Sequence, residues 1–194
     1  GVFKEIVKYA SYYNAIYKAP VDSLDSALHK AVEEFRFILS DMPAPLLMEL
    51  YAIHKSVDDK GNPRISAKQL SEIITILNSY LMRRSLCGMD TSDITRYFPT
   101  LLKETLADCA GNYADIVEIF KKNLVNRNKG NSQEMPDNNR LRDRILNANM
   151  YNLRSWLNIF FKKLESKNNP APVDFSKLSI EHLMPQTATH EWYE

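Results

Sequence analysis

Close to the C-terminus, Glu181 and His182 stand side by side, followed by two apolar residues and Pro185-Gln186. A carboxylate is a hard oxygen donor suited to Mg²⁺ or Mn²⁺. An imidazole titrating near neutral pH can take the proton of an attacking water. A divalent metal beside them would lower the pKa of bound water and steady charge on a phosphate. The pair therefore points to metal-assisted hydrolysis of a phosphodiester. Adjacent side chains of a regular strand face opposite ways, so both can serve one centre only where a strand bends. Pro185 favours such a bend. The plain alternative is an incidental Glu-His pair near a chain end.

A second group of residues is basic. Arg83 and Arg84 fall at the end of an apolar-periodic helix. Two adjacent guanidiniums there could hold DNA phosphates or a carboxylate of a neighbouring domain. They could equally neutralise the negative end of their own helix while their stems cover apolar surface. Arg140 and Arg144 are four residues apart and share a helix face. With Arg142, Arg154, Lys121, Lys122, Arg127 and Lys129 they make the middle third the most positive part of the chain. A DNA-facing surface and a solvated face both fit, since Asp137 and Asp143 dilute the charge. Trp156, Phe160 and Phe161 could stack bases, but at helical spacing among leucines they read first as packing. His29, His54 and His190 are scattered, and structural or surface roles suit them.

The elements that must position these groups are helical. There are only five glycines in 194 residues, and no stretch before residue 171 alternates as a strand does. Residues 2–18 form a helix with Val2, Ile6, Tyr9, Tyr13 and Ile16 on one face, stopped by Pro20. Asp22 or Ser23 caps a second helix carrying Leu24, Ala27, Leu28, Ala31, Val32, Phe35, Ile38 and Leu39. A third covers Leu46 to His54. Asp58 to Pro63 is a turn. Ser66 caps a long helix burying Leu70, Ile73, Ile74, Leu77 and Leu81, with Gly88 as its C-terminal stop. Thr91 or Ser92 opens the next helix, and Asn112 the one after. Asn126 to Pro136 is the most loop-like segment. Helices at about 137–149 and 151–166 follow, and Lys167 to Pro172 links to an extended stretch. The expected fold is all-α: a bundle of about eight helices with a short extended or β segment at the C-terminus. The expected division is a helical domain, 1–168, and a second part, 169–194.

Composition sets outer bounds. Hydrophobic content of 44% and charged content of 25% suit a globular chain. Net charge is +1, so any phosphate-binding face must be local. Cys87 and Cys109 lack metal-site spacing and read as buried free thiols of a reducing compartment. No apolar run nears the roughly 18 residues of a membrane span. The Gly-Val start suggests a piece of a longer protein.

Ile180-Glu181-His182-Leu183-Met184-Pro185-Gln186 resembles the first HNH motif of the GmrSD family, modification-dependent (type IV) restriction endonucleases. It is also similar to the Asp-His-x-x-Pro-Gln motif of CRISPR effector HNH domains. Glu191-Trp192 fits a Glu-Trp pair found shortly after the family motif. Tyr80-Leu81-Met82-Arg83-Arg84 through Gly88 resembles the family's Tyr-Leu-x-Arg-Arg-x-x-x-Gly helix end. Tyr151-Asn152-Leu153-Arg154 through Leu164-Glu165 resembles the helix before the nuclease motif. The likeness runs from about residue 70 onward; the first sixty residues share only helical character. It implies a cytoplasmic bacterial protein of phage defence that cleaves DNA with Mg²⁺ or Mn²⁺. It assigns Glu181 to the metal and His182 to the general base. It implies DNA, an upstream ParB-like NTPase domain and the remainder of the nuclease domain as partners. Two departures stand out. No Asp-Gly-Gln-Gln-Arg-like nucleotide motif occurs, and the downstream Asn or His ligand is missing, so these 194 residues alone are expected to be inactive. The acidic residue is Glu where many HNH enzymes carry Asp, and its longer arm could shift the metal. The alternatives are a helical module that binds DNA or couples domains without catalysis, and a scaffold that forms a homodimer.

Overall fold

The computed structural model describes residues 1–38, 40–90, 92–126, 128–148 and 154–168. Among these the chain forms eight α-helices: α1 (Val2–Tyr17), α2 (Ser26–Ile38), α3 (Ala44–Lys55), α4 (Ala67–Leu86), α5 (Ser92–Cys109), α6 (Ile116–Lys121), α7 (Asn138–Asn147) and α8 (Arg154–Asn168). A 3₁₀ turn at Val21–Ser23 precedes α2, and a π-helical turn at Lys122–Asn126 follows α6. No strand occurs among the described residues. The expected extended segment at the C-terminus lies outside them. The chain divides into two units, Gly1–Leu157 and Asn158–Glu194, with the division inside α8. In the second unit, Phe160 and Phe161 meet edge to face, ring centres 6.0 Å apart. The side chain of Trp156 lies outside the described set.

In the first unit α4 is the central rod, packed by α2, α3, α6 and α7. Its start is fixed by a reciprocal cap. Ser66 Oγ accepts from the Gln69 amide, and Gln69 Oε1 accepts from the Ser66 amide at 2.9 Å. Gln69 Nε2 then donates to the carbonyls of Tyr113 and Ala114, tying the approach to α6 onto the same point. Leu70, Ile73, Ile74, Leu77 and Leu81 bury fully on α4. Leu28, Ala31, Val32, Phe35 and Ile38 do so on α2, the helix packed most closely on it. Each large apolar side chain so buried contributes about 1.5–3 kcal/mol.

Three local expectations change. Asp22 and Ser23 belong to the 3₁₀ turn, and α2 is instead capped by Asp25, whose carboxylate accepts from the Ala27 amide at 3.0 Å. Asn112 does not start a helix. Its side chain accepts from the Ala114 amide, a local turn that competes with helix and delays α6 to Ile116. The face of α1 is right only at its end: Ile16 is buried, while Val2 and Ile6 are exposed with Phe3 and Val7. The later turns of α1 are held by tyrosines. Tyr9 donates to Glu49 of α3, and Tyr13 to Asp41. Arg36 of α2 donates to the carbonyls of Ala15 and Ile16.

The π turn is closed by buried amides. Asn123 is wholly buried and donates to Asp108, and Tyr97 of α5 donates to the Asn123 carbonyl at 3.1 Å. Asn128 donates back to the carbonyls of Asn123 and Leu124.

Candidate nucleic-acid interface

Glu181 and His182 lie outside the described residues. Among those that are described, no three His, Cys, Asp or Glu side chains gather as a metal site. His54 is buried, with Nδ1 2.8 Å from the Ile65 carbonyl, and His29 Nε2 lies 3.0 Å from the Leu24 carbonyl. Both rings serve local structure.

Four of the basic residues singled out by sequence, Arg83, Arg84, Arg140 and Arg144, do meet, at the C-terminal end of α4. The chain turns there because Gly88 takes a left-handed conformation (φ 65°), which a side chain disfavours. The Met89 amide then donates to the Arg84 carbonyl, closing the helix end. The 128–137 segment returns over this end. α7 starts where Asp137 Oδ1 accepts from the Arg140 amide at 2.8 Å.

Arg84 is 2% exposed and is the largest fully buried side chain of the described core. Its Nη1 donates to the carbonyls of Ser132 and Glu134 at 2.8 and 3.0 Å, and its Nη2 to that of Asp90. The guanidinium lies 5.6 Å from the centre of the Tyr80 ring. Tyr80 in turn donates to the Gln133 carbonyl at 2.8 Å, and burial pushes its hydroxyl well above the ordinary range. Arg83, one residue earlier, is half-buried and donates to the Pro136 carbonyl and to Asn138 Oδ1. So the Arg-Arg pair of the sequence splits. Arg84 points inward and cannot touch a phosphate in this arrangement, whereas Arg83 stays near the surface beside α7.

Arg140 and Arg144 share an exposed face of α7, as their spacing requires. Arg140 pairs with Glu134 at 2.6 Å. Arg144 lies over Gly88: a Cβ built on that glycine would stand 3.3 Å from Arg144 Nη2. Cys87 sits among these groups. Burial pushes its thiol above the ordinary range, and Arg140, Arg144 and Arg83 pull less strongly the other way. Three guanidiniums and the Asp137 carboxylate, which adds to the rise, thus act on this thiol from α4 and from α7 with its N-cap.

Sequence reasoning offered Arg84 phosphates, a carboxylate or its own helix end rather than the carbonyls it meets, and missed Glu134 and Tyr80 as parts of this assembly. Only the Glu134 to Arg140 separation, six residues across a helix start, was available as a signal. Compared with family models, characterised proteins and solved structures, the chain matches none. No helix among the described residues is long and apolar enough to cross a membrane.

Proposed function

We propose that these residues form the helical region and opening of a metal-dependent, DNA-cleaving nuclease of the HNH type, acting in cytoplasmic defence against foreign or modified DNA. One observation carries this: the run Ile180-Glu181-His182-Leu183-Met184-Pro185-Gln186, with Glu191-Trp192 behind it. Glu181 would hold Mg²⁺ or Mn²⁺, which supplies an acidified water and charge stabilisation when bound. His182 would accept the proton of the attacking water. The helical unit would carry no catalytic group and would hold the substrate or relay the state of a ParB-like nucleotide-binding domain.

The test uses the natural reading frame, followed past Glu194 to its stop codon. Supercoiled plasmid is incubated with that protein and Mg²⁺ or Mn²⁺, beside its His182→Ala form. Metal-dependent nicking that His182→Ala abolishes supports the reading. Nicking that survives the change removes His182 as the base. Intact plasmid, even with nucleotide and modified DNA supplied, leaves the helical binding or coupling module as the better reading. The arginines gathered at the end of α4 specifically favour that second reading.

A further inference from the structure

We propose that Arg144, seconded by Arg83, grips the phosphates of duplex DNA, and that Arg84 and Gly88 position them for it. The choice of DNA rests on the nuclease reading; the demand for an anion rests on the geometry.

Consider the charges at this end of α4. Arg83 and Arg84 donate only to carbonyl and amide oxygens, and Arg144 has no hydrogen-bond or ion-pair partner among the described residues. Of the four arginines only Arg140 meets a carboxylate, that of Glu134. Asp137 and Asp90 are turned to the backbone amides of Arg140 and Ser92. The end of a helix offers roughly half a negative charge. Asp90 and Asp137 keep their charge, so with Glu134 three carboxylates stand against the four guanidiniums, and Arg144 is the one left over. In a chain of net charge +1, this is a local excess of the kind an anionic ligand would satisfy.

Geometry selects which arginine faces outward. Arg84 is spent inside, holding the 130s segment by its carbonyls and so fixing where α7 starts. Gly88 leaves room for the Arg144 guanidinium to lie across the turn, where any side chain would press on it. Arg83 stands beside it with its amide and carbonyl contacts on one side. A planar guanidinium presents paired donors that suit phosphate oxygens. Duplex DNA offers such charges at about 1.7 Å of helix axis each. Arg142 supplies an internal control. It is exposed on the same helix and carries the same charge, but two residues away it faces roughly the opposite side.

The 194-residue chain would be titrated against a short labelled duplex at several salt concentrations, read by fluorescence anisotropy. Affinity should fall steeply with salt. Arg144→Gln should flatten the log–log salt slope by about one unit and weaken binding several-fold. Arg144→Glu should weaken it more, and Arg142→Glu should leave it within about threefold. A second readout uses the unaltered protein: bound duplex should slow alkylation of Cys87, on which Arg83, Arg140 and Arg144 act. Equal losses from Arg142→Glu and Arg144→Glu would show a mere net-charge effect and overturn the assignment. So would absence of salt-sensitive binding, or a concentration-dependent mass shift with no DNA binding. Binding of this pattern by a protein that never nicks plasmid would sustain the surface while removing the nuclease reading.

Discussion

The two faces of α4 are held in opposite ways. Toward α2, contact is made by apolar side chains, Leu28, Val32 and Phe35 among them, each 1% exposed. Toward α7, contact is polar. None of the ten residues of α7 is buried, yet the helix is placed by named bonds to Arg83, Arg84 and the segment between. Apolar burial has no preferred direction and is shared over a whole seam, so it fails cooperatively. A few directional bonds from one cation fix position more sharply and let go locally.

Mutation should separate the two. The largest loss is expected for Phe35→Ala, about 3–5 kcal/mol, seen as a fall in the urea midpoint with all helices unfolding together. A two-step transition with α4 still formed would contradict a single shared seam. Arg84→Met keeps the stem but removes the donors to Ser132, Glu134 and Asp90, at about 3 kcal/mol. Hydrogen exchange should accelerate through 128–147 while amides of α2 keep most of their protection. If both regions open equally, the α7 end is part of the core and the contrast fails.

Smaller effects sharpen the same line. Ser66→Ala and Asp137→Ala each delete an N-cap and should cost about 1 kcal/mol. The first should lower global stability, because α2, α3, α6 and α7 all pack on α4. The second should show only as fraying of α7, measured by amide exchange, and a matching global loss would refute local opening. The smallest effect concerns alkali. Tyr9 is pushed up to about 12, first by its hydrogen bond to Glu49 and then by burial. A hydroxyl whose pKa is raised on folding stabilises the fold fully below its ordinary value near 10. That contribution fades as pH climbs from there to about 12. Tyr9→Phe should flatten part of the stability loss over this interval, and an unchanged slope would remove Tyr9 from the α1–α3 contact.

What sequence showed of this fold follows the same division. The stripe of α4, and that of α2 apart from the exposed Ala27 and from Leu24 before the helix, were legible because a 3.6-residue period reports burial directly. Ser66 and Gly88 were legible because caps and left-handed turns demand particular residues, whereas the reciprocal role of Gln69 went unread. Asp25 was missed because Asp22, Ser23 and Asp25 are equivalent as cap candidates until the 3₁₀ turn consumes the first two. Val2 and Ile6 misled because an apolar period shows which face could be buried, not whether anything covers it. Arg84 was the hardest: its partners are backbone carbonyls, two of the three some fifty residues away, which no side-chain pattern records. Glu181 and His182 are the reverse case, legible as a motif alone.

The π turn at Lys122–Asn126 has a bearing on ancestry. Such a turn is an α-helical turn with one residue too many, accommodated without breaking the helix. Within it Asn123 and Leu124 are both buried. A relative without the Tyr97–Asn123–Asn128 amide cluster has no reason to keep the bulge. When such a sequence is aligned with this one, the single-residue gap belongs here, in the last turn after α6, rather than in the loop beyond.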